Sequence, residues 1–415
     1  MYRLLVLCFL LLVGAQALAD SRTVYETYKN RLVQIRIIDT ESNAKSTLGS
    51  GFFVTPNGLI ITNYHVVSRL VQHPGQYRAE FIISDGKDPL PAELLDIDVV
   101  NDLALLRSEL RDTPFLKVHQ GEVRKGTRLY SLGNPHDLGM TIVEGTYNGL
   151  IDDSLHKRIH LTGSLNPGMS GGPSINEAGE VVGVNVATAG NQIGFLVPAE
   201  YVRRLVADPP AGLPDASALL ARLTGQLLTN QAKVTETLTA RPVPLKQLGT
   251  YQVPDSLVPG LNCWGDSSNE EDALYSETSY SCTSKHRIFI SDTLVTGTVR
   301  YAHYYVSARE LSATHFYAIM QQYFTSVGER GHREAVTAWS CETRFVNNQG
   351  LPMKAALCLR AYHRIPGLYD LNMNVVSLNQ DNAALQSELS LHGFDYDNLT
   401  MLARRYLEAI TWKKP

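Results

Sequence analysis

Between Arg31 and about Val197 the chain reads as one short strand after another: Leu32–Ile38, Gly51–Val54, Leu59–Thr62, Ala79–Ser84, Leu103–Arg107, Arg128–Leu132 and Val181–Val186. The runs are rich in β-branched residues and are parted by Gly, Pro, Asn and Asp. That pattern predicts an all-β barrel or sandwich. Pro198 and Glu200 then open a short helix, Tyr201–Ala207, which stops before Pro209-Pro210. The first domain boundary is placed there.

Beyond it the character changes. Asp215 is suited to cap a helix with Leu219, Leu220, Leu223 and Leu227 on one face, a stripe that reads as a docking face. Arg241-Pro242-Val243-Pro244 reads as an extended linker, because residues before proline are pushed out of the helical region. The remainder is mixed. Strands are expected at Arg287–Ile290, Thr298–Val306 and Leu371–Leu378. A capping box at Ser307-Ala308-Arg309-Glu310 predicts a helix carrying Leu311, Phe316, Ile319 and Tyr323, and Asp397 predicts a last helix with Leu399, Leu402, Tyr406 and Ile410 inward. These make an α+β domain. Its many tyrosines read as core and sheet surface.

The first residues have the form of an export signal: Arg3, the apolar run Leu4–Val13, then Ala17-Leu18-Ala19, which predicts cleavage before Asp20. The run is too short to span a bilayer comfortably. Cys8 leaves with it, so Cys263, Cys282, Cys341 and Cys358 remain. An even count in an exported chain points to two disulfides, with three connectivities open, against four buried free thiols. Nearest-neighbour pairing, Cys263 with Cys282 and Cys341 with Cys358, is the expectation. No spacing of His and Cys suggests a metal site, and no cofactor is implied. The formal net charge of −4 and the absence of a basic stripe argue against nucleic-acid binding.

Three segments carry chemistry. In Asn166-Pro167-Gly168-Met169-Ser170-Gly171-Gly172-Pro173, Ser170 is a candidate nucleophile, which must be activated by a base. The glycines allow the turn that would aim the N–H groups of Gly168 and Ser170 at a developing oxyanion. In Thr62-Asn63-Tyr64-His65-Val66-Val67, His65 is the candidate base, although a histidine ending an apolar strand is, in isolation, more often an ordinary half-buried residue. In Asn101-Asp102-Leu103-Ala104-Leu105-Leu106, Asp102 could be a turn residue or could hold the His65 tautomer. Singly each has a bland reading. Together, in the order His, Asp, Ser, they match the chymotrypsin order. His136, His119, His156 and His160 read as solvated loop residues.

Ser-Gly-Phe-Phe-Val, Thr-Asn-Tyr-His-Val-Val, Asn-Asp-Leu-Ala-Leu-Leu, Leu-Gly-Asn-Pro and Asn-Pro-Gly-Met-Ser-Gly-Gly-Pro resemble the trypsin-like protease domain of the HtrA/Deg family, over about Val24 to Val206. The resemblance implies a chymotrypsin-like all-β double barrel with its site between the barrels. It implies a serine endopeptidase acting on unfolded or misfolded envelope proteins in the bacterial periplasm, in protein quality control, and family members often form homo-oligomers. The expected division is a signal peptide at 1–19, the protease domain at 20–208, a helix and linker at 209–244 and an α+β domain at 245–415. By the same alignment the pocket for the residue before the scissile bond would be lined by Ser164, the strand Asn185–Thr188 and Ile193. None is charged, so cleavage after small or medium apolar residues is expected. Two features depart from the family. Met169 stands where the family usually has Asn, and no carboxylate-binding PDZ loop follows Pro210. Both leave open an alternative: a protease fold that works as a binding or chaperone protein of the envelope.

Overall fold

The computed structural model describes residues 20–412, apart from 85, 152–153, 189–191, 259, 269–272, 286, 292, 309, 325–333 and 379–381. The expected signal segment lies outside the described residues. Helix α1 (Ser21–Tyr28), capped by the Asp20 carboxylate on the Thr23 N–H at 2.7 Å, leads into the first barrel. Its strands are β1 (Leu32–Asp39), β2 (Lys45–Phe53), β3 (Leu59–Thr62), β4 (Tyr77–Ile83), β5 (Leu90–Asp98) and β6 (Leu103–Arg107). They close antiparallel in the order β1-β2-β3-β6-β5-β4. Between β3 and β4 the chain makes helix α2 (Tyr64–Gln72). The second barrel consists of β7 (Arg128–Gly133), β8 (Thr141–Leu150), β9 (Ile159–Thr162), β10 (Pro173–Ile175), β11 (Val181–Thr188) and β12 (Ile193–Pro198), closed in the order β10-β11-β12-β9-β8-β7. The strand reading of the sequence thus corresponds to a chymotrypsin-like double barrel. The apolar alternation of each strand fills the two interiors, as a small closed barrel requires. Helix α3 (Ala199–Ala207) follows β12.

Helix α4 (Ala216–Thr239) is capped by Asp215, whose carboxylate accepts from the Ala218 N–H at 2.7 Å. Leu219, Leu223 and Leu227 bury their face against the first barrel, in one apolar cluster with Tyr64, Val67 and Val71 of α2. The expected docking stripe is therefore what the helix uses. Further along, Val234 and Leu238 join a second cluster inside the C-terminal region.

That region is built on a seven-stranded antiparallel sheet. Its elements in chain order are β13 (Leu245–Leu248), β14 (Tyr251–Pro254), β15 (Leu261–Ser268), β16 (Tyr275–Ser284), β17 (Ile288–Phe289), β18 (Val295–Thr296), β19 (Val299–Ala308), helix α5 (Ala313–Tyr323), β20 (Ser340–Asn348), β21 (Leu351–Ala361), β22 (Tyr369–Ser377), β23 (Ala383–Phe394), helix α6 (Tyr396–Glu408) and β24 (Thr411–Trp412). The large sheet runs β15-β16-β19-β23-β22-β21-β20, beside a three-stranded sheet β13-β14-β24 and the small hairpin β17-β18. Cys263–Cys282 and Cys341–Cys358 are disulfides, each joining directly opposed residues of neighbouring strands. The nearest-neighbour expectation matches this pairing.

Two helix starts differ from expectation. Ser307 and Ala308 belong to β19, paired with Ser276 and Tyr275, so the cap of α5 falls to Ser312, whose hydroxyl accepts from the His315 N–H. Likewise Asp395, not Asp397, caps α6 through the Asn398 N–H at 2.8 Å. The inward face of α6 is as expected, with Leu399, Leu402 and Tyr406 buried and Ile410 following. No helix among the described residues is long and apolar enough to cross a membrane.

Candidate active site

His65 does not end a strand. It stands in the first turn of α2, directly after β3, because Asn63 in extended conformation breaks the strand and starts the helix. Asp102 sits in the turn between β5 and β6, two residues before Ala104, which pairs with Thr62 of β3. Its φ of 62° places it in the left-handed region, where Asp is tolerated better than most residues. The Asn63 side-chain amide holds the Asp102 carbonyl at 2.7 Å, and the kink turns the carboxylate across to α2. There it accepts two hydrogen bonds from one residue: the His65 backbone N–H at 2.9 Å on Oδ1 and the imidazole Nδ1 at 2.8 Å on Oδ2. Asp102 is 2% exposed. A nearly buried carboxylate in this pose fixes the imidazole with Nδ1 protonated and Nε2 available as a base.

Ser170 lies on the loop before β10 in the second barrel. The loop is pressed onto the segment that leads into His65. At Gly171 (φ 84°) an added Cβ would meet the Ser50 carbonyl oxygen at 2.2 Å, the Thr62 hydroxyl at 2.3 Å and the Asn63 nitrogen at 2.9 Å. Only glycine fits there. Gly168 is also left-handed, with φ 95°. Among the described residues the N–H groups of Gly168 and Ser170 donate to no protein acceptor, as the two donors of an oxyanion hole require. The Ser170 hydroxyl donates to the Val186 carbonyl at 3.1 Å.

Met169, the departure from the family pattern, is fully buried in the apolar cluster of the second barrel with Leu129, Leu161, Leu165 and Leu196. Its side chain points away from the site and leaves the loop's backbone to do the work. Asn185 was expected to line the substrate pocket. It is instead 1% exposed, and its side-chain amide donates to the carbonyls of Leu132 at 3.1 Å and Met169 at 3.3 Å. It accepts from the Ser174 hydroxyl at 2.8 Å. It braces the nucleophile loop from beneath because a buried amide must satisfy its polar atoms inside. Ser164 is exposed, and Ile193 is 39% exposed. The backbone of Thr188 pairs with Gly194. His156 is also corrected: it is buried, not solvated, and donates from Nε2 to the Asn230 side chain on α4 at 2.7 Å. His119 pairs with Glu180 at 2.7 Å.

Three residues of the site carried no role in the sequence reading. Ser50, inside the Ser-Gly-Phe-Phe-Val motif, joins the barrels. Its hydroxyl donates to the Gly168 carbonyl at 2.7 Å and accepts from the Asn134 N–H at 2.8 Å, while its own N–H donates to the Ser170 carbonyl at 2.8 Å. Gln226 of α4 bridges the turn before Asp102, accepting from the Val99 N–H at 2.7 Å and donating to the Ile97 carbonyl at 2.8 Å. Phe289 of β17 lies with its ring centroid 5.0 Å from that of His65. Motif spacing gave a signal only for Ser50.

A histidine–carboxylate pair on one six-stranded barrel, with a serine loop from a second barrel packed against it, defines a trypsin-like serine peptidase domain. Residues 49–184 match the family described as a trypsin-like peptidase domain. The chain is 31% identical over 227 residues to the mitochondrial serine protease HTRA2 of Drosophila grimshawi, covering 52% of this chain and 51% of that one. It is 32% identical over 177 residues to the human serine protease HTRA3, covering 40% and 39% of the two chains. It is 31% identical over 169 residues to the Chlamydia pneumoniae protein named Probable periplasmic serine endoprotease DegP-like, covering 38% and 33%. Among solved structures, Deg5 aligns at 28% identity and a TM-score of 0.40, covering 45% of this chain and 91% of that one. The N-terminal half of the chain carries an HtrA/Deg-like domain of this class. The chain spans about half the length of the first of these relatives, and less of the other two.

Proposed function

We propose that the chain is an exported serine endopeptidase that cleaves unfolded or damaged envelope polypeptides through an acyl-enzyme, with His65, Asp102 and Ser170 as its catalytic residues. The observation that carries this is the double hydrogen bond from His65 to the buried Asp102 carboxylate beside the Ser170 loop. Ser170 Oγ attacks the scissile carbonyl while Nε2 of His65 takes its proton. The Gly168 and Ser170 N–H groups receive the oxyanion, His65 passes the proton to the leaving amine, and water then releases the acyl group by the same steps. To begin, the Ser170 hydroxyl must leave the Val186 carbonyl and turn to His65.

The proposed pocket for the residue before the scissile bond, with Ser164, Ile193 and the strand end at Thr188 as its expected lining, carries no charged residue, so cleavage is proposed to follow small or medium apolar residues. The periplasm is the proposed site of action, supported by the apolar leader, by two disulfides in the C-terminal region and by a relative named for that compartment. Homo-oligomerisation accords with the same resemblance. The domain limits proposed are those given above, with 245–415 as a separate unit that governs which protein is cut.

The alternative, a protease-fold binder or chaperone, draws on the Ser170–Val186 bond, which describes a resting hydroxyl. Labelling with a fluorophosphonate probe separates the two: label that vanishes in Ser170→Ala supports the peptidase, and no label under any folding condition supports the binder. A peptide library dominated by cleavage after Lys or Arg would sink the pocket reading.

A further inference from the structure

Phe289 reaches the catalytic histidine from the C-terminal region. Its neighbours in sequence explain how it is held. Ile288 and Ile290, each 1% exposed, point into the apolar cluster shared by α2, α4 and the first barrel, together with Leu294. Strand alternation turns Phe289 the other way, onto the His65 ring, with the two planes at 42°. The hairpin is fastened to α2 by the Ile290 carbonyl, which accepts from the Tyr64 hydroxyl at 3.0 Å and from the Gln72 amide at 3.4 Å. Tyr64 is fully buried and adjoins His65. The helix that presents the imidazole is therefore the helix to which the hairpin is bolted. Gln226 on α4 holds the turn that carries Asp102 in the same manner, so both halves of the His–Asp pair are supported by segments after the barrels.

We infer that Phe289 is a positioning residue for His65, and that the C-terminal region completes the catalytic site by packing this ring against the imidazole. This rests on the peptidase reading above. An imidazole has two rotatable bonds. Asp102 fixes Nδ1, but a hydrogen bond alone lets the ring swing about that contact. An aromatic face beside the ring removes that freedom and excludes water from one side. A displacement of about 1 Å in a catalytic group costs on the order of a hundredfold in rate. The charged groups near the contact include Asp102 on the turn before β6, the buried Arg158, which interacts with Asp102 and donates to the Asn101 carbonyl at 3.4 Å, and Arg287, whose guanidinium lies 5.9 Å from the Phe289 ring centroid. Ile288, Ile290 and Leu294 are the buried anchors, while Phe289 also packs on the apolar cluster shared by the two barrels, a contact that Phe289→Leu retains.

The test uses the full chain with Phe289→Ala, Phe289→Leu and Phe289→Tyr. It reads steady-state kinetics on a short peptide substrate against pH, the rate of fluorophosphonate labelling, and the His65 imidazole titration by NMR. Phe289→Ala is expected to lower kcat by about ten- to a hundredfold with KM within about twofold, and to move the His65 midpoint by about half a unit or more. Phe289→Tyr restores both, and Phe289→Leu, which keeps apolar volume without a flat face, falls between. Unchanged kcat and unchanged titration in Phe289→Ala overturn the inference. So does a rise in kcat with the titration unchanged, which would mark Phe289 as an obstruction. If the wild-type protein reacts with neither probe nor peptide, the peptidase reading fails separately. The titration still decides the contact: a moved midpoint supports positioning, and an unmoved one overturns it.

Discussion

The Ser50 hydroxyl of the first barrel donates to the Gly168 carbonyl of the second at 2.7 Å, and the Ser50 N–H donates to the Ser170 carbonyl at 2.8 Å. One residue thus fixes the carbonyls of Gly168 and Ser170, the two residues whose N–H groups would face the oxyanion. Ser50 is 1% exposed, so its replacement by Ala leaves the Gly168 carbonyl and the Asn134 N–H without that partner in a dry place. Ser50→Ala is expected to lower kcat by about 10- to 100-fold, less than loss of an oxyanion donor itself, because the loop is displaced and not deleted. The stability cost is about 1–3 kcal/mol. Kinetics and urea unfolding on the same preparation check both. Unaltered kcat would remove Ser50 from the site.

Asp102 accepts from the backbone N–H and from the ring Nδ1 of His65 while buried and left-handed. Asp102→Asn keeps the shape but presents an amide, which favours the wrong imidazole tautomer. The expected loss is about 10⁴-fold in kcat near neutral pH, the magnitude known for the equivalent change in a trypsin-type enzyme. The protein should still fold and give an unchanged circular dichroism spectrum. A variant retaining more than about a tenth of the wild-type rate would mean that Asp102 does not orient the base.

What the sequence made legible follows from how local each signal is. The strands alternate within themselves, so the barrels could be read. His65, Asp102 and Ser170 each sit in a contiguous motif whose flanks are also framework, so the three could be named together. The helix at Tyr64–Gln72 is obscured because His65 stands between the β-branched runs Ile60–Thr62 and Val66-Val67, whose propensity favours strand. Ser307 and Asp397 were reasonable caps that lost to Ser312 and Asp395. In the first case the sheet claims Ser307 for β19, a tertiary demand no local pattern shows. Asn185 was placed near the site correctly but given the wrong face. Phe289 and Gln226 were illegible, since each meets its partner only through docking of a distant segment.

Acid should weaken the fold before the carboxylates held low by hydrogen bonds are involved. His303 is fully buried, donates from Nε2 to the Pro254 carbonyl and receives the Ser387 hydroxyl on Nδ1. Burial pushes its pKa down to about 4, and burial likewise pushes His156 down to about 4. Both stay neutral in the native state where an unfolded histidine, near 6.5, takes up a proton. Stability is therefore full above about pH 6.5 and falls as pH drops from there toward 4, by up to roughly 3 kcal/mol for each residue. The carboxylates held low by hydrogen bonds, such as Asp39 and Asp137, protonate below this window and act later. Urea midpoints measured from pH 7.5 to 5 should fall steadily. A flat profile would contradict the burial of both rings as neutral groups.

Gln226 offers the sharpest separation of support from chemistry. Its amide is the only described side chain joining α4 to both Ile97 and Val99, and the Val99 carbonyl in turn accepts from the Asp102 N–H at 3.3 Å. Gln226→Ala leaves the Val99 N–H unsatisfied and frees the turn, while the leucine face of α4 keeps the helix docked. The cost in stability is about 1–2 kcal/mol. The cost in rate comes through Asp102, so kcat should fall about three- to tenfold with KM steady, and Gln226→Glu should fall further because it sets a carboxylate against the Ile97 carbonyl oxygen, where two acceptors repel. Combining Gln226→Ala with Asp102→Asn tests the route. If Gln226 acts through Asp102, the double variant is no slower than Asp102→Asn alone, since residues acting as one unit are not additive. Full additivity of the two losses would place the effect of Gln226 elsewhere in the barrel.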